Sequence, residues 1–121
     1  MLKLIIVNEQ DPREAQKQAE REAEEAPGVI YIAGPITGRP DYIERFCRAY
    51  LDLEAEGWII LNPADLPEGM PADRYMPICL AMLQQADAVY MLEGWEESAG
   101  ASIEWTLAKY QGKRVIYQAQ E

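Results

Sequence analysis

Five short apolar runs, residues 2–7, 29–33, 58–61, 87–92 and 114–117, alternate along this chain with longer segments of helical pattern. The run over 29–33 is continuously apolar, as in a central strand buried on both faces. Glycines at Gly28, Gly57 and Gly112 close the helical segments, because glycine readily takes the left-handed turn that ends a helix. The resulting β-α-β-α-β-α-β-α-β order predicts an α/β protein with a parallel, roughly five-stranded sheet and helices on both faces. Its crossovers are expected to be right-handed. Ligands in such sheets sit beyond the carboxyl ends of the strands, where strand order reverses. Two glycine-containing loops, 34–40 and 94–101, both follow strands and are expected on that edge.

The helical segments differ in character. Residues 11–26 alternate Gln, Glu, Arg, Lys and Ala, with only Ala15, Ala19, Ala23 and Ala26 to pack, which predicts a solvated helix. Asp41 with Glu44 reads as a capping box, and Ile43, Phe46, Tyr50 and Leu53 as the buried stripe of the next helix. A helix is expected over 74–86, with Pro77 in its first turn, where a missing N–H costs little. A last helix is expected over 99–111. The loop 62–71 is long and rich in turn residues, which suggests the wall of a site.

The corner 94–105 carries the most chemistry. Ser98 is placed to cap the last helix, and the tiny Ala99, Gly100 and Ala101 follow it. Such a start leaves backbone N–H groups open to a ligand at the positive end of the helix dipole. Glu104 has Gly100, Ala101, Leu107 and Ala108 as its helical neighbours, with no Lys or Arg among them. Two readings stand: an exposed acid favoured by the helix dipole, or an acid in an apolar surround with a raised pKa and a chemical role. Tyr31 is likewise either a packing residue or a hydroxyl near a carboxylate at the strand end. Residues 34–39, Gly34 to Arg39, lack the ending of a P-loop and the spacing of GxGxxG. They read as a turn, or as half of a cradle with Arg39 as a phosphate partner. Tyr42, Tyr75 and Tyr90 are packing residues or pocket walls, and Asp87 is structural.

Composition excludes several classes. The 121 residues are expected to form a single domain, 1–121. There are 11 basic against 21 acidic residues, a net charge of −10, which argues against a nucleic-acid groove. The chain has no histidine, so Ser-His-Asp, Cys-His and HExxH chemistry is out. No metal or cofactor is expected. No apolar run reaches the length of a membrane span, and the first residues do not form a signal peptide. Cys47 and Cys79 are expected to be reduced, in a cytoplasmic protein.

Strings across residues 29–117 resemble the DUF4406 family. They are 31–38 (YIAGPITG), 61–64 (LNPA), 86–89 (ADAV), 92–101 (LEGWEESAGA) with Glu104, and 112–113 (GK). That family resembles the nucleoside 2-deoxyribosyltransferases and the 2′-deoxynucleoside 5′-phosphate N-hydrolases. Residues 1–28 lie outside the match, as a strand-helix extension.

The resemblance implies a flavodoxin-like three-layer α/β/α sandwich, N-glycosidic bond chemistry on a small deoxynucleotide, and a homo-oligomer. It implies Glu104 as nucleophile with Tyr31 beside it. Ser98 matches a position that is Ser in the nucleotide hydrolases and Asp in transferases of free nucleosides, so it favours a 5′-phosphate. Gly34, Pro35, Thr37, Gly38, Arg39, Ser98, Gly100 and Ala101 are then the expected substrate-binding residues. Where those enzymes keep an Asp to protonate the leaving base, this chain has Cys79, a poor acid. Asp41, Asp65 and Asp73 are candidates to replace it. A nucleotide-binding module without catalysis, and an interaction protein using the acidic front helix, are the alternatives.

Overall fold

A computed structural model describes residues 12–17 and 27–119. Residues 12–17 are helical, within the segment read as a helix; the strand expected over 2–7 lies outside the described residues. The sheet of the described residues has four parallel strands: β1 (Val29–Ala33), β2 (Ile59–Leu61), β3 (Ala88–Met91) and β4 (Arg114–Tyr117). Helices α1 (Tyr42–Ala55), α2 (Ala72–Gln85) and α3 (Ala99–Tyr110) connect them. Strand order is β2-β1-β3-β4, with Tyr31 paired to Leu61 on one side and to Val89 on the other.

Alternate residues of β1 serve two cores, as the period of a strand requires. Ile30 and Ile32 pack with Phe46, Ala49 and Leu53 of α1. Tyr31 and Ala33 pack with Cys79 and Leu83 of α2 and Ala101 and Ala108 of α3. The chain is therefore a three-layer α/β/α sandwich. The order reverses at β1, whose chain neighbour β2 lies on one side and β3 on the other. That is where a site is expected in an open parallel sheet. Gly34 lets the chain leave β1 there, because an added Cβ would sit 2.8 Å from Leu92.

Several local readings are corrected. Asp41 precedes α1, but its side chain makes no capping hydrogen bond. With φ near −93° and ψ near 13°, its backbone is not in the extended conformation from which a cap side chain reaches forward. Ile43 is half exposed, and Ala49 takes the place expected for a large apolar residue. The buried face of α1 is Phe46, Ala49 and Leu53, at i, i+3 and i+7. Trp58 lies just before β2, its amide bonded to the Leu53 carbonyl as part of the helix end. Helix α2 begins at Ala72, so Pro77 falls in its second turn rather than its first and removes one helix hydrogen bond. Asp87 is structural as expected: its carboxylate accepts from the Val29 amide at 3.0 Å and ties the starts of β1 and β3.

Candidate active site

Glu104 lies on the buried face of α3, with Ala101 and Ala108 above and below it. It is 5% exposed, one of two buried polar or charged residues among those described, so the exposed reading is set aside. Its side chain meets Tyr31 of β1, whose hydroxyl donates to Oε2 in a buried hydrogen bond. Among the described residues, no cation is one of the groups that perturb either member of this pair. Burial therefore dominates and raises the Glu104 carboxyl to about 7, while the Tyr31 hydrogen bond pulls it back down. Burial, followed by the charge of Glu104, holds the Tyr31 phenol well above its ordinary range. Tyr31 therefore stays a donor at any physiological pH. A buried acid near 7 is poised to be ionised at neutral pH while remaining more basic than an ordinary carboxylate.

The pair forms the floor of a cavity of about 500 Å³. Three connections build its walls. Gly34, Ile36 and Thr37 follow β1, Pro63 and residues 66–70 follow β2, and Ser98 with Gly100 and Ala101 opens α3. The loop 62–71 is thus a wall, as its length suggests. Asn62 starts it by capping the 3-10 turn Pro63–Asp65, its side chain accepting from the Ala64 amide. Ser98 caps α3, its Oγ accepting from the Ala101 amide at 3.2 Å. Gly100 faces the Met76 methyl, which an added Cβ would approach to 3.2 Å.

The expected site residues divide into two groups. Tyr31, Gly34, Thr37, Ser98, Gly100, Ala101 and Glu104 line the cavity; Pro35, Gly38 and Arg39 do not. Gly38 has φ near +76° in the turn closed by the Arg39 amide on the Ile36 carbonyl, a backbone role. Arg39 turns away, its Nη2 lying 3.7 Å from Glu97, so it clasps the loops after β1 and β3 together.

Cys79 lines the cavity beside Tyr31, and burial pushes its thiol up, which makes it a weak acid and a poor nucleophile. Asp41, Asp65 and Asp73 do not line the cavity. Glu68 does, and sequence reasoning missed it. The available signal was an acid in the middle of the wall loop. Tyr42 and Tyr75 are pocket walls, and Tyr90 packs on the α1 face of the sheet. Among the described residues no cluster of three or more Cys, Asp or Glu side chains is arranged to hold a metal ion. No helix among them is long and apolar enough to cross a membrane.

Comparison with known proteins places the chain at the level of fold and of family. The fold is similar to that of a 2-desoxiribosyltransferase from Leishmania mexicana, with a TM-score of 0.60 and 24% sequence identity. The match covers 78% of this chain and 66% of that one, so this chain spans just under two thirds of that protein. The fold is thus 2-deoxyribosyltransferase-like. A family model described as a domain of unknown function, DUF4406, matches residues 28–117, and the chain belongs to that family. No curated protein matches the chain.

Proposed function

We propose that the protein cleaves the N-glycosidic bond of a 2′-deoxynucleoside or its 5′-monophosphate, with Glu104 as nucleophile. The observation that carries this reading is the buried Glu104–Tyr31 pair at the floor of a cavity at the sheet's switch point. The free Oε1 of Glu104 attacks C1′ of the deoxyribose. The C1′–N bond breaks, its electron pair leaves with the base, and an ester forms between sugar and carboxylate. Tyr31 stays hydrogen-bonded to Oε2 and holds the carboxylate in register. Attack of water on the ester gives hydrolysis, and attack of a second base gives transfer.

Ser98 and the Gly100 amide at the start of α3 support a 5′-phosphate, which backbone N–H groups at a helix start can hold. A second reading, a free deoxynucleoside, is favoured by one observation: among the described residues no Lys or Arg lines the cavity, and Arg39 pairs with Glu97. A non-catalytic nucleotide-binding module is favoured by Cys79, which supplies no ready acid for the leaving base.

Incubation with deoxynucleosides and their monophosphates, with chromatography of the released base, separates these readings. The catalytic proposal expects free base from at least one of them. The phosphate reading expects monophosphates to be used at least about tenfold better than nucleosides. Melting-temperature rises without base release would leave the binding module alone, and the absence of both base release and stabilisation would overturn all three readings.

A further inference from the structure

We infer that Glu68 reads the base of the bound ligand and selects bases with adjacent N–H donors, guanine foremost. This rests on the reading above for one point, that C1′ lies at Glu104.

Glu68 is exposed at the rim of the cavity, and hydrogen bonds from two helices fix its loop. Its Oε1 accepts from the Tyr42 hydroxyl at 3.0 Å. Tyr75 fixes the backbone on both sides of it: its hydroxyl donates to the Pro67 carbonyl at 2.6 Å and accepts from the Met70 amide at 3.1 Å. The loop is thus pinned from α1 and from α2, and the carboxylate is held at the cavity wall.

Topology says which end of the ligand it meets. Glu68 comes from the connection after β2 and Ser98 from the connection after β3, and these strands lie on opposite flanks of β1. Tyr31 of β1 and Glu104 lie between them. A ligand with its anomeric carbon at Glu104 and its 5′ end toward Ser98 therefore directs its base to the β2 flank. There the wall offers the flat or apolar surfaces of Tyr42, Ile36, Leu66 and Met70, against which a base can stack. Among the described residues, Glu68 is the charged group lining that flank.

A carboxylate only accepts hydrogen bonds, and Tyr42 occupies one of its roughly four lone-pair positions. Guanine presents N1–H and its 2-amino group as parallel donors that a carboxylate can bridge. Thymine presents one N–H between two carbonyls, which the negative charge opposes. Hypoxanthine differs from guanine in lacking the 2-amino group, so the pair isolates the contact.

The test compares deoxyguanosine with deoxyinosine, each with and without 5′-phosphate, in wild type, Glu68→Gln and Glu68→Ala. Base release gives kcat/KM, and melting-temperature shifts in the Glu104→Gln background give binding without turnover. Wild type is expected to favour guanine by about tenfold, the scale of one good base contact. Both Glu68 variants are expected to bring the ratio within about twofold. In Glu68→Gln the amide oxygen still accepts from Tyr42, so the loop stays in place. Equal use of the two bases by wild type, or a guanine preference that survives in the variants, overturns the inference. Guanine-selective binding without base release keeps the inference and removes the catalytic reading. Base release without selectivity does the reverse. If no nucleoside or nucleotide binds or reacts, both fall.

Discussion

Glu104→Gln is expected to abolish base release, with a loss of at least about 10⁴-fold in kcat, because an amide cannot form the sugar ester. The same substitution is expected to stabilise the protein at alkaline pH. In the unfolded chain this carboxyl ionises near 4.5, whereas in the fold it keeps its proton to about 7. The folded state therefore binds more protons between those values, and stability falls as pH rises from about 4.5 to about 7, then levels off. The gap corresponds to a penalty of roughly 3 kcal/mol above pH 7. The neutral amide of the variant carries no such penalty, and its oxygen still accepts from the Tyr31 hydroxyl. Melting curves should show the variant several degrees more stable than wild type at pH 8, and close to it near pH 4.5. A variant that loses stability at pH 8 would mean that the ionised carboxylate is held by the fold rather than strained by it. Losing activity while gaining stability distinguishes a functional acid from a structural one, since natural active sites commonly sacrifice stability in this way.

Tyr31→Phe is expected to move the pH dependence of base release. The nucleophile acts as the carboxylate, so kcat/KM of wild type should rise through an apparent pKa of about 7 and reach a plateau above it. Among the described residues, the Tyr31 hydrogen bond is the one influence that lowers the Glu104 carboxyl. Without the hydroxyl the burial effect is unopposed, and the rising limb moves toward alkaline pH. A limb displaced by one pH unit lowers the rate along it about tenfold, so activity at pH 6 should fall by about tenfold for each unit of displacement, and at pH 9 by much less. The phenol itself does not titrate in this window, because burial and the Glu104 charge hold it well above its ordinary value. A limb unchanged in the Phe variant would separate Tyr31 from the ionisation of Glu104. A rate lowered equally at all pH values would leave Tyr31 only a positioning role.

The legible parts of this molecule are those set by local rules. The apolar continuity of 29–33 marks the central strand, Ser98 followed by three tiny residues marks the cap of α3, and the length of 62–71 marks a wall. The lack of a cation near Glu104 on its own helix foreshadows its burial. Which hydroxyl meets it can be reached from the resemblance, but not from spacing, because Tyr31 and Glu104 are 73 residues apart.

The less legible parts depend on how elements meet. Ala49 is buried and Ile43 half exposed because the sheet, not the hydrophobicity of α1, chooses the contact face. Arg39 reads as a phosphate partner within its own loop, yet Glu97 of another loop draws it away from the cavity. Glu68 is one more acid in a chain with 21 acidic residues until Tyr42 and Tyr75, from two helices, fix its loop.

Peptide mass mapping of a trapped sugar adduct tests the central claim most directly. A 2′-fluoro-arabinosyl analogue of whichever substrate releases base slows breakdown of the ester, because the fluorine disfavours positive charge at C1′. The expected result is one equivalent of sugar on the peptide containing Glu104, absent from Glu104→Gln and labile at alkaline pH. Release of base with no adduct and with inverted configuration at C1′, or an adduct on a different residue, would contradict it.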